Sequence, residues 1–196
     1  MISTDSNIHW VIGDVPVEDA LQEKSNSGEA AAFLHLDTPS PPSAEQRAAP
    51  AYGYMLRKGW DVAVAALPTP VIGKRAGMEQ FWFLIDGDRP AAEAQSRALM
   101  AALQGDGDAG QLVWRIVLSP VTTPWNNAVI LAEWLALDQP SPVPTEHNSI
   151  FWINGDWRHA GDAEVDVVVE YSPKMIGGGQ GSMPRSTSTN IESMVP

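Results

Sequence analysis

Cysteine is absent from the 196 residues. Disulfides, thiol nucleophiles and cysteine-ligated zinc are thereby excluded, and folding does not depend on redox state. Positive charge is scarce: 12 Lys and Arg stand against 24 Asp and Glu, for a net charge of −12. Binding to nucleic acid or to anionic lipid needs a basic face, so neither partner is expected. No apolar run approaches the length of a membrane span, and the opening MISTDSNIHW lacks the charged and apolar parts of a secretion signal, so a soluble protein is expected. Charged residues make up only 18% while 44% are hydrophobic, a composition that builds a globular core rather than a disordered chain.

Several catalytic signatures are missing as well. The histidines His9, His35, His147 and His159 include no pair at the spacing of a helical metal site, and no G-x-S-x-G elbow exists for a serine triad. His35 and Asp37 have the order of a base and its orienter, but plain alternation along a strand also explains them. The run GGGQGS, Gly177 to Ser182, lacks the Lys-Ser/Thr and the following helix of a phosphate loop. No cofactor is implied.

What is present is an alternation of strand and helix patterns. NIHWVIGD reads as a short strand. DVPVEDALQEK reads as a helix with Asp14 as cap, an early Pro16, and Glu18 and Asp19 in its first turn, broken by SNSGE. AAAFLHL is a second strand. DTPSPPSAEQRAAP carries Pro39, Pro41, Pro42 and Pro50 and reads as an extended loop. YGYMLRKGWDVAVAAL reads as β structure, two strands meeting near Gly59, and PTPVIGKRAG as a further loop. EQFWFLI is a buried strand, and PAAEAQSRALMAAL a helix with Ala92, Gln95, Leu99 and Leu103 near one face. In QLVWRIVL, Leu112, Trp114, Ile116 and Leu118 point one way and Arg115 the other. This strand–helix–strand unit places its strands side by side in parallel or next but one. NNAVILAEWLALD fits a helix or a strand, and Val129, Ile130 and Trp134 favour strand; PSPVPT is a loop. SIFWINGDWRHAGDAEVDVVVEY predicts two strands around a hairpin turn at Asn154-Gly155, the last with an apolar face and an acidic one.

The expected fold is α+β: a mainly antiparallel sheet, one or two packed helices and long Pro-rich loops. Residues 1–172 form the domain, and 173–196 an extended C-terminal arm rich in Gly, Ser and Thr.

The most pointed chemical candidate is Asp86-Gly87-Asp88, at the end of an apolar strand. Two carboxylates there suit a divalent metal, and hence a metal-dependent transferase, if a third oxygen ligand lies nearby. A plainer structure also fits: Asp86 ends the strand, Gly87 turns, Asp88 caps the next helix and Pro90 sits in its first turn. Gly-Asp recurs at Gly13, Gly105, Gly107, Gly155 and Gly161, which favours the plain reading. Outside the core, Arg57, Lys58, Lys74 and Arg75 form a basic spot in the sequence, and Trp125 and Trp157 lie in turn regions, so these six are the candidate contact residues for other protein chains.

The segments RKGWDVAVAAL, taken as a β ribbon, RPAAEAQSRALMAAL, a helix across the sheet, and EVDVVVEY, a closing strand, together resemble small phage tail terminator and head–tail connector proteins. The resemblance covers about half the chain and implies a non-enzymatic virion component. It would form a ring of identical subunits at the head–tail junction, assembled in the host cytoplasm, with no catalytic residues carried over. A soluble acidic inhibitor or immunity-type protein is the other binding alternative.

Overall fold

The computed structural model describes residues 11–13, 15–39, 43–138 and 147–171. Five α-helices and seven strands are found among them: β1 Val11–Ile12, α1 Val17–Ser27, β2 Ala31–Asp37, α2 Ala44–Ala48, α3 Pro50–Ala66, β3 Ile72–Arg75, β4 Gln80–Asp86, α4 Arg89–Gly105, β5 Arg115–Pro120, α5 Asn126–Glu133, β6 Ser149–Asn154 and β7 Glu164–Glu170. The strands form one sheet in the order β1-β3-β4-β2-β5-β6-β7. Only β5 and β6 run parallel, so the α+β class with a mainly antiparallel sheet holds, with more helices than expected. β4 and β5 lie next but one, with β2 between them. The arm 173–196, the run GGGQGS and Asp14 lie outside the described residues.

All seven residues of β2 are buried, because both faces of the sheet are covered. On one face Ala32, Leu34 and Leu36 pack with Phe81, Phe83 and Ile85 of β4, Ile116 and Leu118 of β5, and the helices α3 and α4. On the other, Phe33, Val117, Phe151 and Ile153 pack with α1 and α5. Alternation along each strand therefore sends successive residues into two different cores.

Local signals account for several helices. α1 begins after Pro16, carries Glu18 and Asp19 in its first turn and Lys24 in its last, and closes on Gly28 at φ 68°. α4 buries Ala92, Ser96, Leu99, Met100 and Leu103, a stripe at helical spacing.

Five expectations are corrected. The segment taken as two strands meeting at Gly59 is the helix α3. It starts on Pro50, and Tyr52, Leu56, Gly59, Trp60 and Ala63 bury one face of it. Gly59 sits inside that helix because the Trp114 ring lies against it: a Cβ there would stand 2.3 Å from Trp114 Cη2. The segment taken as a strand at Val129 to Trp134 is α5, continued by a π-helical turn Trp134–Asp138; its apolar residues face the second core. PTPVIGKRAG contains β3 rather than only a loop. Asn154-Gly155 leads not into a tight hairpin but into a 3-10 segment, Trp157–Asp162, before β7. The proline-rich stretch also holds α2, with a capping box between Ser43 and Gln46.

Candidate functional site

Asp86-Gly87-Asp88 joins β4 to α4. Gly87, at φ 113°, makes the turn, and its N–H donates to Ala30 O at 2.9 Å. The Ala91 N–H donates to Asp88 Oδ1 at 3.1 Å, so Asp88 caps α4, with Pro90 in the first turn. Asp86 pairs with Lys24 at 3.0 Å. The plain structural role of the motif is therefore the one its geometry fulfils. Among the described residues no group of three His, Asp or Glu side chains stands ready for a metal.

The six candidate contact residues do not form one patch. Arg57 pairs with Asp61 along α3 at 3.2 Å, and the Lys58 ammonium lies 5.6 Å from the Tyr54 ring centre. Lys74 is on the opposite face of the sheet, paired with Glu18 of α1 and 4.6 Å from the Trp82 ring centre. Arg75 donates to Gly77 O and Met78 O, each at 2.8 Å, and so shapes the turn between β3 and β4. Trp125 is half-buried beside the second core, while Trp157 is exposed, with the Arg158 guanidinium 5.5 Å from its ring.

Two arrangements were not singled out from the sequence. The first is a buried ion pair. Arg115 Nε and Nη2 donate to Asp37 Oδ1 and Oδ2 at 3.0 and 2.6 Å, and Nη2 also donates to Ala136 O of the π-turn at 2.6 Å. Both side chains are only 5% exposed. Burial pushes the Asp37 carboxyl up, but neighbouring His35 and Arg115 lower it by more, and it stays below the ordinary carboxylate value. The two-point contact makes Arg115 the partner that matters, since His35 Nε2 is 3.8 Å away and makes no hydrogen bond. This pair ties β2, β5 and the π-turn together.

The second is a groove of about 370 Å³ at the same end of β2 but on the other face of the sheet. Ala51, Tyr52 and Met55 of α3, Gln46 and Ala49 at the end of α2, and Gln111, Leu112 and Val113 before β5 line it, with Thr38 beyond β2. No lining residue is charged. Gln46 accepts from the Ser43 N–H and Gln111 donates to Gly107 O, so both amides are engaged by backbone. The buried polar contact is the hydroxyl pair Thr38 Oγ1 and Tyr52 Oη, 3.3 Å apart. Burial pushes the Tyr52 phenol up to about 12, which keeps it protonated and able to donate.

No protein-family model matches the sequence, and no curated protein matches it. In shape the chain is similar to the GGDEF domain of TpbB (YfiN) from Pseudomonas aeruginosa, at 19% identity and a TM-score of 0.48, over 61% of this chain and 77% of that one. It is similar also to the GGDEF domain of DgcB from Caulobacter crescentus, solved in complex with c-di-GMP, at 12% identity and a TM-score of 0.46, over 59% and 77% of the two chains. A sensory box/GGDEF family protein from Caulobacter crescentus is similar at 22% identity and a TM-score of 0.46, over 61% and 83%.

These neighbours are GGDEF domains and not phage tail terminators or head–tail connectors, which overturns the resemblance read from the sequence. With it fall the ring-forming assembly role, the placement in a virion and the ground for reading the chain as non-enzymatic. The segment RKGWDVAVAAL, counted as a β ribbon in that resemblance, is helical besides. Among the described residues no helix is long and apolar enough to cross a membrane.

Proposed function

We propose that this chain binds a small, flat, uncharged molecule in the groove beside Tyr52. The observation that carries this is the lining itself. In a chain of net charge −12, this concave surface is walled by alanine, methionine, leucine and valine, and its buried polar contact is a neutral hydroxyl pair. An apolar concavity with a few fixed polar groups is the usual form of a small-molecule site, and about 370 Å³ lies within the range such sites occupy. A ligand carrying net charge would lose its hydration there without gaining a charged partner from the lining. Rigid walls on α3 and the strand-flanking segment 111–113 suit a planar body, and Thr38 with Tyr52 would fix one polar edge of it.

The test uses N-phenyl-1-naphthylamine, a neutral flat fluorophore whose emission rises in apolar surroundings. Wild-type protein is expected to bind it saturably, and Ala51→Trp, which fills the groove from an exposed helical position, to lose that binding while keeping its melting temperature. Equal binding by Ala51→Trp, or none by the wild type, would refute the assignment.

A further inference from the structure

We infer that α2 is a latch over this groove, closed by the ion pair between Arg47 and Glu79. The inference rests on the groove being a binding site, but the latch itself has a readout that needs no ligand. None of the five residues of α2 is buried, so apolar packing does not hold it down. Its N-terminus is fixed internally, with Ser43 and Gln46 satisfying each other's backbone. At its other end Ala49 is extended, at φ −70° and ψ 130°, and separates α2 from α3. Such a break lets a short helix turn as a unit, because a single residue absorbs the change in direction. Gln46 and Ala49 of this unit form one side of the groove.

What ties the unit to the sheet is Arg47 Nε, 3.1 Å from Glu79 Oε1 in the turn between β3 and β4. Glu79 is the better shielded partner, its side chain 16% exposed against 39% for Arg47. The pair also stands close enough to the groove to be felt there: Glu79 and Arg47 both act on the Tyr52 phenol, in opposite directions. The Arg75 guanidinium holds Gly77 O and Met78 O, so the turn that presents Glu79 is itself braced. The anchor of the latch is therefore braced, and α2 is attached to it by a charge pair that salt can weaken.

Opening α2 would widen the groove and admit ligand; closing it would trap ligand. The absence of cysteine allows a clean mechanical test, since an introduced pair is the only thiol pair in the chain. In Glu79→Gln, hydrogen exchange at the Arg47 and Ala49 amides, which bond to Ser43 O and Gln46 O, is expected to quicken about two- to fivefold while core amides of β2 do not change. With N-phenyl-1-naphthylamine as probe, Arg47→Ala and Glu79→Gln should raise the association rate constant about two- to fivefold. Added salt should do the same to the wild type and little to the variants. Joining Arg47→Cys and Glu79→Cys with a short bismaleimide should slow both association and release. Unchanged exchange in α2 of Glu79→Gln overturns the latch whether or not the probe binds. Binding that Ala51→Trp abolishes, at rates indifferent to Arg47→Ala, Glu79→Gln and the cross-link, overturns the latch and leaves the groove assignment standing. Faster exchange without probe binding keeps the moving segment but overturns its role in ligand entry.

Discussion

Two glycines in α3 offer a sharp test of how that helix is seated. A Cβ added at Gly53 meets no heavy atom within 4 Å, whereas one added at Gly59 lies 2.3 and 2.4 Å from Cη2 and Cζ2 of Trp114. Ordinary contact begins at 3.4 Å, so Gly59→Ala demands that the ring move. Trp114 is fully buried, its Nε1–H donates to Ala109 O at 2.8 Å, and its ring packs against Phe81 at 6.3 Å between centres. Over-packing of this kind costs about 1–3 kcal/mol, and disturbing the indole hydrogen bond about 1 kcal/mol more. Against this, alanine is favoured over glycine inside a helix by about 1 kcal/mol. Gly59→Ala is thus expected to destabilise by about 1–3 kcal/mol, and Gly53→Ala to stabilise by about 0.5–1 kcal/mol. Urea unfolding followed by circular dichroism measures both, as shifts in midpoint at constant slope. Phenylalanine lacks the two offending ring atoms, so in a Trp114→Phe background the Gly59→Ala cost should shrink by at least about 1 kcal/mol. If Gly59→Ala stabilises the protein as Gly53→Ala does, or if the cost is the same with Phe at position 114, the packing of α3 on Trp114 is wrong.

The remaining predictions concern the strand ends. Asp88→Ala should lower stability by about 0.5–2 kcal/mol through loss of the α4 cap, read in the same unfolding experiment; no change would remove the cap from the account. Asp37→Asn should cost about 3–5 kcal/mol, because Arg115 is left buried without its counter-charge. The pair also fixes a pH dependence. The Asp37 carboxyl is held below its ordinary value in the folded protein, so its contribution is fully present above about pH 4 and is lost as pH falls from there through the folded value. Thermal unfolding from pH 5 to pH 2 should therefore fall less steeply in Asp37→Asn than in the wild type, and equal slopes would contradict the pairing.

Much of the central sheet was legible because its strands announce themselves locally. Phe81 to Ile85 is an apolar run ending in a turn and a cap, and Asp88 with Pro90 marks the start of α4 without any knowledge of the rest. The helix α3 was not legible for a reason outside its own residues. Its glycines, valines and aromatics weigh against a helix in isolation. Gly59 belongs there only because Trp114, distant in sequence, occupies the space a side chain would need. α5 failed similarly, since β-branched apolar residues suit a strand until two covered faces of a sheet demand a helix between them. Arg115 looked like the outward member of an alternating strand; that its outward side is a second core follows only from the arrival of α5 and the π-turn. The groove is assembled from three separated stretches around Thr38, Tyr52 and Leu112, and no motif in any one of them signals the others. The basic residues near Lys74 are adjacent in sequence but divided by the sheet in space.

Because β2 is buried on both sides, its neighbours cannot use wet and dry faces to tell a correct strand alignment from one displaced by a residue. The two cores are both apolar, and a displaced strand would still bury phenylalanine and leucine in each. The Asp37–Arg115 pair breaks that degeneracy. A slip of one position turns the carboxylate into the layer of Leu34 and Leu36 and leaves the guanidinium alone in the other. The pair thus works as a key in the strand pairing, penalising misaligned sheets during folding more than it strengthens the finished one.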